Sequence, residues 1–278
     1  MFPSSPDNWY TCIDQSSLLG AHRGHRSRYP ENTLSAFAAS MGRCDFIEFD
    51  VQLTGDYVPV VIHDPTLTRT SNILASSIYQ QKKSTRLVDY TYDELKVLDM
   101  GTWFYEQDPF GTLGSEKKSS ATDAQLPQPL LTLDEMLHWA KQNQVLLNLE
   151  IKEPESSPHS EVIVEKVVDQ LHNHQCLNQV LVSSFNHQYL VECKKRASTL
   201  LTSALAEEPP YENPKELVAY LKDIGASGYH PDTNYLELQI IPYLRSNRIM
   251  ITVYTVNNEQ RKRELFAAGV TSVVTDFL

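Results

Sequence analysis

Short apolar, strand-like runs alternate along this chain with stretches of helical spacing, and one connection between two runs is too short to cross over. The strand-like runs fall at residues 17–22, 46–53, 58–63, 145–151, 179–184, 200–205, 228–230, 249–256 and 272–275. Helix-like stretches lie between most of them, at 133–142, 160–172, 187–196, 214–225, 236–246 and 258–268, with another after Asn32 or Thr33 as its cap. This alternation calls for a parallel sheet with crossover helices. Nine strands are one too many for an eight-stranded barrel. Only Thr54-Gly55-Asp56-Tyr57 separates Leu53 from Val58, however, and a parallel crossover needs about a dozen residues. Those two runs therefore pair as an antiparallel hairpin, returning His63 to the barrel mouth. The remaining eight strands make an α/β protein, a (β/α)8 TIM barrel, and 278 residues suit the roughly 250 that such a barrel takes. An open doubly wound sheet is the alternative.

A single domain spanning 1–278 is expected, with the hairpin and a loop region inserted at about 54–129 after the second barrel strand. Residues 64–129 are rich in Thr, Ser, Tyr and Gln, include the polar stretch Gly111 to Gln128, and show one convincing helix, Tyr92 to Asp99. They read as a partly ordered, mobile insertion.

Two of the strands carry acids. In Phe46-Ile47-Glu48-Phe49-Asp50-Val51-Gln52, Glu48 and Asp50 share one face while Ile47, Phe49 and Val51 share the other. Leu147-Asn148-Leu149-Glu150-Ile151-Lys152 repeats the device. Buried carboxylates are costly unless paired or bound to a cation. Three of them with open positions suit one hard divalent cation, Mg²⁺ or Ca²⁺, better than zinc. His22 and His63 supply an acid and a base near neutral pH, and Arg23 and Lys152 supply positive charge for a phosphate. All stand at strand ends on the carboxyl side of the barrel, where such enzymes place their chemistry. Together they describe cleavage of a phosphate ester. Phe185 and Tyr254 fit either an upper core layer or a substrate contact. Glu31 and Asn32 read as support for the helix start and loop, and His25 as an exposed loop histidine.

The net charge of −11 argues against attraction to nucleic acid or anionic membranes, but not against a small anion held in a locally positive cleft. Four widely spaced cysteines form no metal or redox pattern and read as reduced thiols. The N-terminal residues show no secretory pattern, and no apolar run approaches the roughly 20 residues that span a bilayer. A cytoplasmic monomer or homodimer without membrane insertion is expected, acting on a small phosphodiester.

Ala21-His22-Arg23-Gly24, Pro30-Glu31-Asn32-Thr33, Ile47-Glu48-Phe49-Asp50-Val51, His63-Asp64, Leu149-Glu150-Ile151-Lys152, Tyr254-Thr255-Val256-Asn257 and Val274-Thr275-Asp276 occur in this order. The ordered set resembles the glycerophosphodiester phosphodiesterase family over nearly the whole chain. The resemblance implies the barrel, a place in lipid and glycerol metabolism, and hydrolysis of glycerophosphodiesters to glycerol 3-phosphate and an alcohol. By position it implies Glu48, Asp50 and Glu150 as cation ligands, His22 and His63 as the acid–base pair, and Arg23 and Lys152 at the phosphate. A lysophospholipase D-like activity on a longer substrate is the alternative, and would need an apolar trough at the rim. A tryptophan usual in the late motif is Tyr254 here, and Arg26 and Arg28 make the first loop unusually basic.

Overall fold

The structure, a computed structural model, describes residues 8–114, 127–153 and 159–278. Among the described residues there are nine strands: β1 (Leu18–His22), β2 (Phe46–Leu53), β3 (Pro59–Val61), β4 (Leu146–Ile151), β5 (Val180–Ser184), β6 (Leu201–Ala206), β7 (Gly228–Pro231), β8 (Met250–Val253) and β9 (Ser272–Thr275). β1 pairs in parallel with both β2 and β9, which closes eight parallel strands into a barrel. β3 is the ninth strand and lies antiparallel on β2, with Val51 opposite Val61, as the four-residue connection requires.

Helices Leu34–Ser40, Leu133–Asn143, His159–Asn173, His187–Arg196, Pro214–Asp223, Ile241–Ser246 and Glu259–Ala268 fill the crossovers. Thr33 caps the first, accepting from the Ala36 N–H, and Thr132 with Glu135 forms a capping box on the second. The helix expected over 236–246 is split into a 3-10 turn, Leu238–Ile240, and a short α-helix whose first turn holds Pro242. Proline has no N–H to give an earlier carbonyl, so the α-helix starts there. The strand expected to reach Val256 stops at Val253, and Tyr254 makes only an isolated bridge to Asp232.

Strand alternation sorts the barrel into an outer and an inner surface. Ile47, Phe49, Val51, Leu147, Leu149 and Ile151 face the helices in the main apolar core. Phe46, Leu146, Leu181, Leu201, Met250 and Val274 form a separate inner layer with Trp9. Trp9 comes from a short helix, Trp9–Cys12, that the sequence pattern did not reveal. Its ring lies 5.0 Å from that of Phe46, and its Nε1 donates to the Leu147 carbonyl at 2.8 Å, sealing the barrel floor. A side chain at Gly20 would meet the Phe46 ring at 2.4 Å, so glycine is what lets the ring into the floor layer. All four cysteines are free, and burial pushes their thiols up to about 11 or 12.

The insertion differs from its sequence reading. Ile62, Leu67, Ile73, Leu87, Leu95 and Leu98 belong to a second apolar cluster beneath it. The expected helix shortens to Tyr92–Leu95, and helices Ser77–Lys82 and Thr102–Gln107 and two 3-10 turns join it. Its apolar residues are spaced singly, with neither the 3.6 nor the 2.0 period that a sequence reading detects. Of the polar stretch 111–128, residues 115–126 lie outside those described. Among the described residues, no helix is long and apolar enough to cross a membrane.

Candidate active site

Register brings the ionisable groups together. β1 aligns with β2 so that His22 sits opposite Glu48, and β2 aligns with β4 so that Asp50 sits opposite Glu150. Ligand atoms of Glu48, Asp50 and Glu150 all lie within 4.8 Å of one another, and all three residues are buried. His22, Arg23, Glu48, His63, Glu150, Lys152, Phe185 and Tyr254 line one cavity of about 450 Å³ at the carboxyl end of the barrel. Asp50 lies just behind that lining, only 1% exposed, against Arg23 and Lys152. The nine residues named from the sequence as catalytic, phosphate-binding, substrate-contact or cation-ligand candidates thus converge on one place.

The backbone that presents them is constrained. Arg23 and Asn32 adopt left-handed conformations, and the Asn32 N–H donates to the Arg23 carbonyl at 3.1 Å. Gly24 is left-handed as well, and a Cβ there would press on the Ala36 backbone at 2.8 Å, so the residue after Arg23 has to be glycine. The Arg23 N–H donates to Glu48 Oε2 at 3.0 Å, and the Asn32 side-chain amide donates to Asp50 Oδ2 at 2.9 Å.

The three carboxylates are not equally compensated. Asp50 is held below the usual carboxylate range: burial opposes this, but Arg23 and Lys152 outweigh it. Lys152 Nζ lies 2.7 Å from Glu150 Oε1 and 3.6 Å from Asp50 Oδ1. Glu48 is pushed well above the ordinary range, first by burial and then by Asp50 and Glu150. Glu150 is raised too, mainly by burial. A buried triad that holds two of its members above their normal range is short of positive charge. Its oxygen-only donors and the buried Asp50 Oδ1, which accepts no hydrogen bond, suit a hard divalent cation.

Each histidine is oriented by a carboxylate. His22 Nδ1 lies 2.6 Å from Asp276 Oδ1, and His63 Nδ1 lies 2.7 Å from Asp64 Oδ1. Where Nδ1 donates its proton to the carboxylate, Nε2 is the position left for proton exchange, with a lone pair in the neutral ring and a proton in the imidazolium. His22 Nε2 is 4.0 Å from Glu48 Oε2, which places that lone pair beside the triad. Burial and Arg23 bring His22 down to about 4, so the ring is neutral near neutral pH. Arg26 Nη1 sits 3.3 Å from Asp276 Oδ1, and Arg69 grips Asp64 through Nε at 2.6 Å and Nη2 at 2.9 Å. Asn257 holds the other Asp276 oxygen at 2.7 Å.

Arg23 is more heavily engaged than a free phosphate ligand. Its Nη1 donates to Glu31 at 2.8 Å, and its Nε lies 3.1 Å from Asp50 without the alignment of a hydrogen bond. Its Nη2 donors have no such engagement described, and the residue still borders the cavity. Phe185 and Tyr254 meet edge to face at 6.0 Å, and Lys152 lies 6.0 Å above the Phe185 ring. Phe185 is 40% exposed, so it belongs to the rim and not to an upper core layer.

Sequence reasoning gave no role to Asp276, Asp64, Arg26 or Arg69. For Asp64 the signal was available, because an acid directly after His63 can reach its ring. Asp276 could be found only once barrel closure had set β9 beside β1. His230, a strand-end histidine that the sequence placed outside the site, is buried, borders the cavity and has no hydrogen-bond partner at Nε2. His25, read as an exposed loop histidine, is 6% exposed and packs near Tyr29.

The glycerophosphoryl diester phosphodiesterase family model matches residues 22–278. A Bacillus altitudinis protein named glycerophosphodiester phosphodiesterase is 33% identical, over 92% of this chain and 93% of its own length. A Silicibacter pomeroyi structure shares the fold with a TM-score of 0.79 and 23% identity, covering 96% of this chain and 93% of that one. An Oleispira antarctica phosphodiesterase, solved in complex with the product sn-glycerol-3-phosphate, gives a TM-score of 0.75 at 24% identity, with 94% of each chain covered. A match over nearly the whole length, on a barrel whose carboxyl end gathers these histidines and acids, places the chain in the glycerophosphoryl diester phosphodiesterase family of enzymes.

Proposed function

We propose that the protein hydrolyses glycerophosphodiesters to glycerol 3-phosphate and an alcohol, with His22 and His63 as the proton-transfer pair. The carrying observation is that both imidazoles, each with Nδ1 held by its own carboxylate, border a single cavity beside three buried acids. Family membership and the 33%-identical B. altitudinis relative support the substrate class.

Glu48, Asp50 and Glu150 would hold one divalent cation, Mg²⁺ or Ca²⁺. When bound, such a cation neutralises charge on the phosphoryl oxygens and acidifies a nearby hydroxyl. Arg23 and Lys152 bind and orient the phosphate from the cavity wall. A hydroxyl of the glycerol moiety next to the phosphate attacks phosphorus in line while Nε2 of one histidine takes its proton. Nε2 of the other gives a proton to the departing alcohol oxygen, and water then opens the cyclic phosphate with the proton roles reversed. Phe185 and Tyr254 form an aromatic wall for the substrate. The lysophospholipase D-like alternative needs a connected apolar trough, and the cavity lining mixes Phe185, Leu205, Tyr254 and Val274 with the polar Glu207 and His230.

The test is hydrolysis of glycerophosphocholine and glycerophosphoethanolamine with Mg²⁺ or Ca²⁺. Activity should be lost on chelation, and His22→Ala or His63→Ala should each lower turnover by about 10²–10⁴-fold. Near-native rates in both variants would overturn the assignment.

A further inference from the structure

Glu31 is 5% exposed and is not itself a lining residue of the cavity, yet three arginines, the cavity-lining Arg23 among them, converge on its carboxylate. Its Oε1 accepts from Arg23 Nη1 at 2.8 Å and Arg69 Nη2 at 2.7 Å. Its Oε2 accepts from Arg26 Nη2 at 2.8 Å and Arg69 Nη1 at 2.9 Å. Two of these arginines continue to the carboxylates that orient the histidines. Arg26 reaches Asp276 and Arg69 clamps Asp64. An unbroken path of charged contacts therefore runs His22–Asp276–Arg26–Glu31–Arg69–Asp64–His63. It joins β1 and β9 on one side to the hairpin arm on the other, and Glu31 is the one member shared by both halves.

Support for the loop alone would need less. Thr33 already caps the helix, and Asn32 already fixes the turn through the Arg23 carbonyl and Asp50. A buried carboxylate that takes four charge-assisted hydrogen bonds holds its guanidinium partners in fixed orientations. Those orientations in turn fix Asp276 and Asp64, and hence the planes of both imidazoles.

We propose that Glu31 is a positioning residue that couples the two histidine–carboxylate pairs, so that His22 and His63 are oriented as one unit. Groups that act as a unit lose rate non-additively, because removing one already forfeits what the other supplied. The inference rests on the proposed roles of His22 and His63, and those roles are tested alongside it.

The experiment is a double-mutant cycle on kcat and KM with Asp276→Asn and Asp64→Asn, run in the native and Glu31→Gln backgrounds. With Glu31 present, the double variant should retain about 10-fold more kcat than the product of the single losses predicts. In Glu31→Gln that excess should fall to about 2-fold or less, and Glu31→Gln itself should lower kcat by about 10–100-fold with KM little changed. A purely structural Glu31 would lower the thermal midpoint without altering the coupling. Arg26→Lys severs only the His22 arm and should also abolish the coupling, which keeps the test open if Glu31→Gln does not fold. Multiplicative losses with Glu31 present, or equal coupling in its absence, would overturn the proposal while leaving the histidine roles intact. Near-native rates in His22→Ala and His63→Ala would overturn both.

Discussion

His22 Nδ1 and Asp276 Oδ1 stand 2.6 Å apart although 254 positions separate them in the chain. Barrel closure through the β1–β9 pairing creates this contact, and nothing local to either residue does. Asp276→Asn keeps the shape but can turn its amide towards the ring and favour the other tautomer, with the proton on Nε2. Turnover should fall by about 10²–10⁴-fold with a nearly unchanged fold, the larger value being that of a wrong tautomer in a serine protease triad. Steady-state kinetics with circular dichroism would check this, and a loss below about 3-fold would count against the pairing as functional.

Glu48 and Glu150 are pushed above the usual carboxylate range in the cation-free protein, chiefly by burial. Such groups favour the fold below their unfolded values and weaken it as pH rises through their folded ones. A divalent cation should therefore stabilise the protein more at pH 7 than at about pH 5, where it competes with protons. At about 100 times its dissociation constant the gain is about 2.7 kcal/mol, or about 5–10 °C in thermal midpoint. Thermal melts with Mg²⁺, Ca²⁺ or chelator at the two pH values measure it. Glu48→Gln should lose most of the shift.

Glu31 behaves in the opposite sense. Burial works against its ionisation, but the hydrogen bonds from Arg69 and the charges of Arg23 and Arg26 hold it well below the ordinary range. Asp64 is depressed as well, through His63 and Arg69 against the cost of burial. Their stabilisation is complete above the unfolded carboxylate value of about 4 and is lost as pH falls through the folded values. The thermal midpoint should drop between about pH 4.5 and 2.5, and less steeply in Glu31→Gln. An identical slope in the variant would show that this carboxylate contributes nothing to acid stability.

Gly20 faces the Phe46 ring at a separation that no Cβ tolerates. Gly20→Ala should destabilise by about 1–3 kcal/mol through overpacking of the floor layer. Gly20→Ala with Phe46→Leu should recover part of the loss, because the smaller side chain vacates the contested space. Chemical denaturation of the three variants decides this, and equal stability of Gly20→Ala and the native protein would refute the packing account.

The alternation of strand and helix, the hairpin and the strand-borne acids were legible because each is written in local periodicity. His63 could be carried to the barrel mouth because four residues permit nothing but a return. The Trp9 floor helix was not legible: it is four residues long, and its significance comes from Leu147 and Phe46, far along the chain. The order within the insertion was hidden for a related reason, since Leu67, Ile73 and Leu87 sit apart in sequence and meet only in the folded cluster. Site side chains were named from residue chemistry, but their supports were missed. Glu31 looked like helix punctuation until three arginines were seen to share it.

With Trp9 stoppering its base, the barrel is a cul-de-sac and not a tunnel. Reactant and both products must then use the same doorway past Phe185 and Tyr254. In the mechanism proposed above the alcohol departs at the first step, before water opens the cyclic phosphate. Glycerol 3-phosphate should accordingly compete with incoming diester for the empty enzyme, while the free alcohol should compete far more weakly.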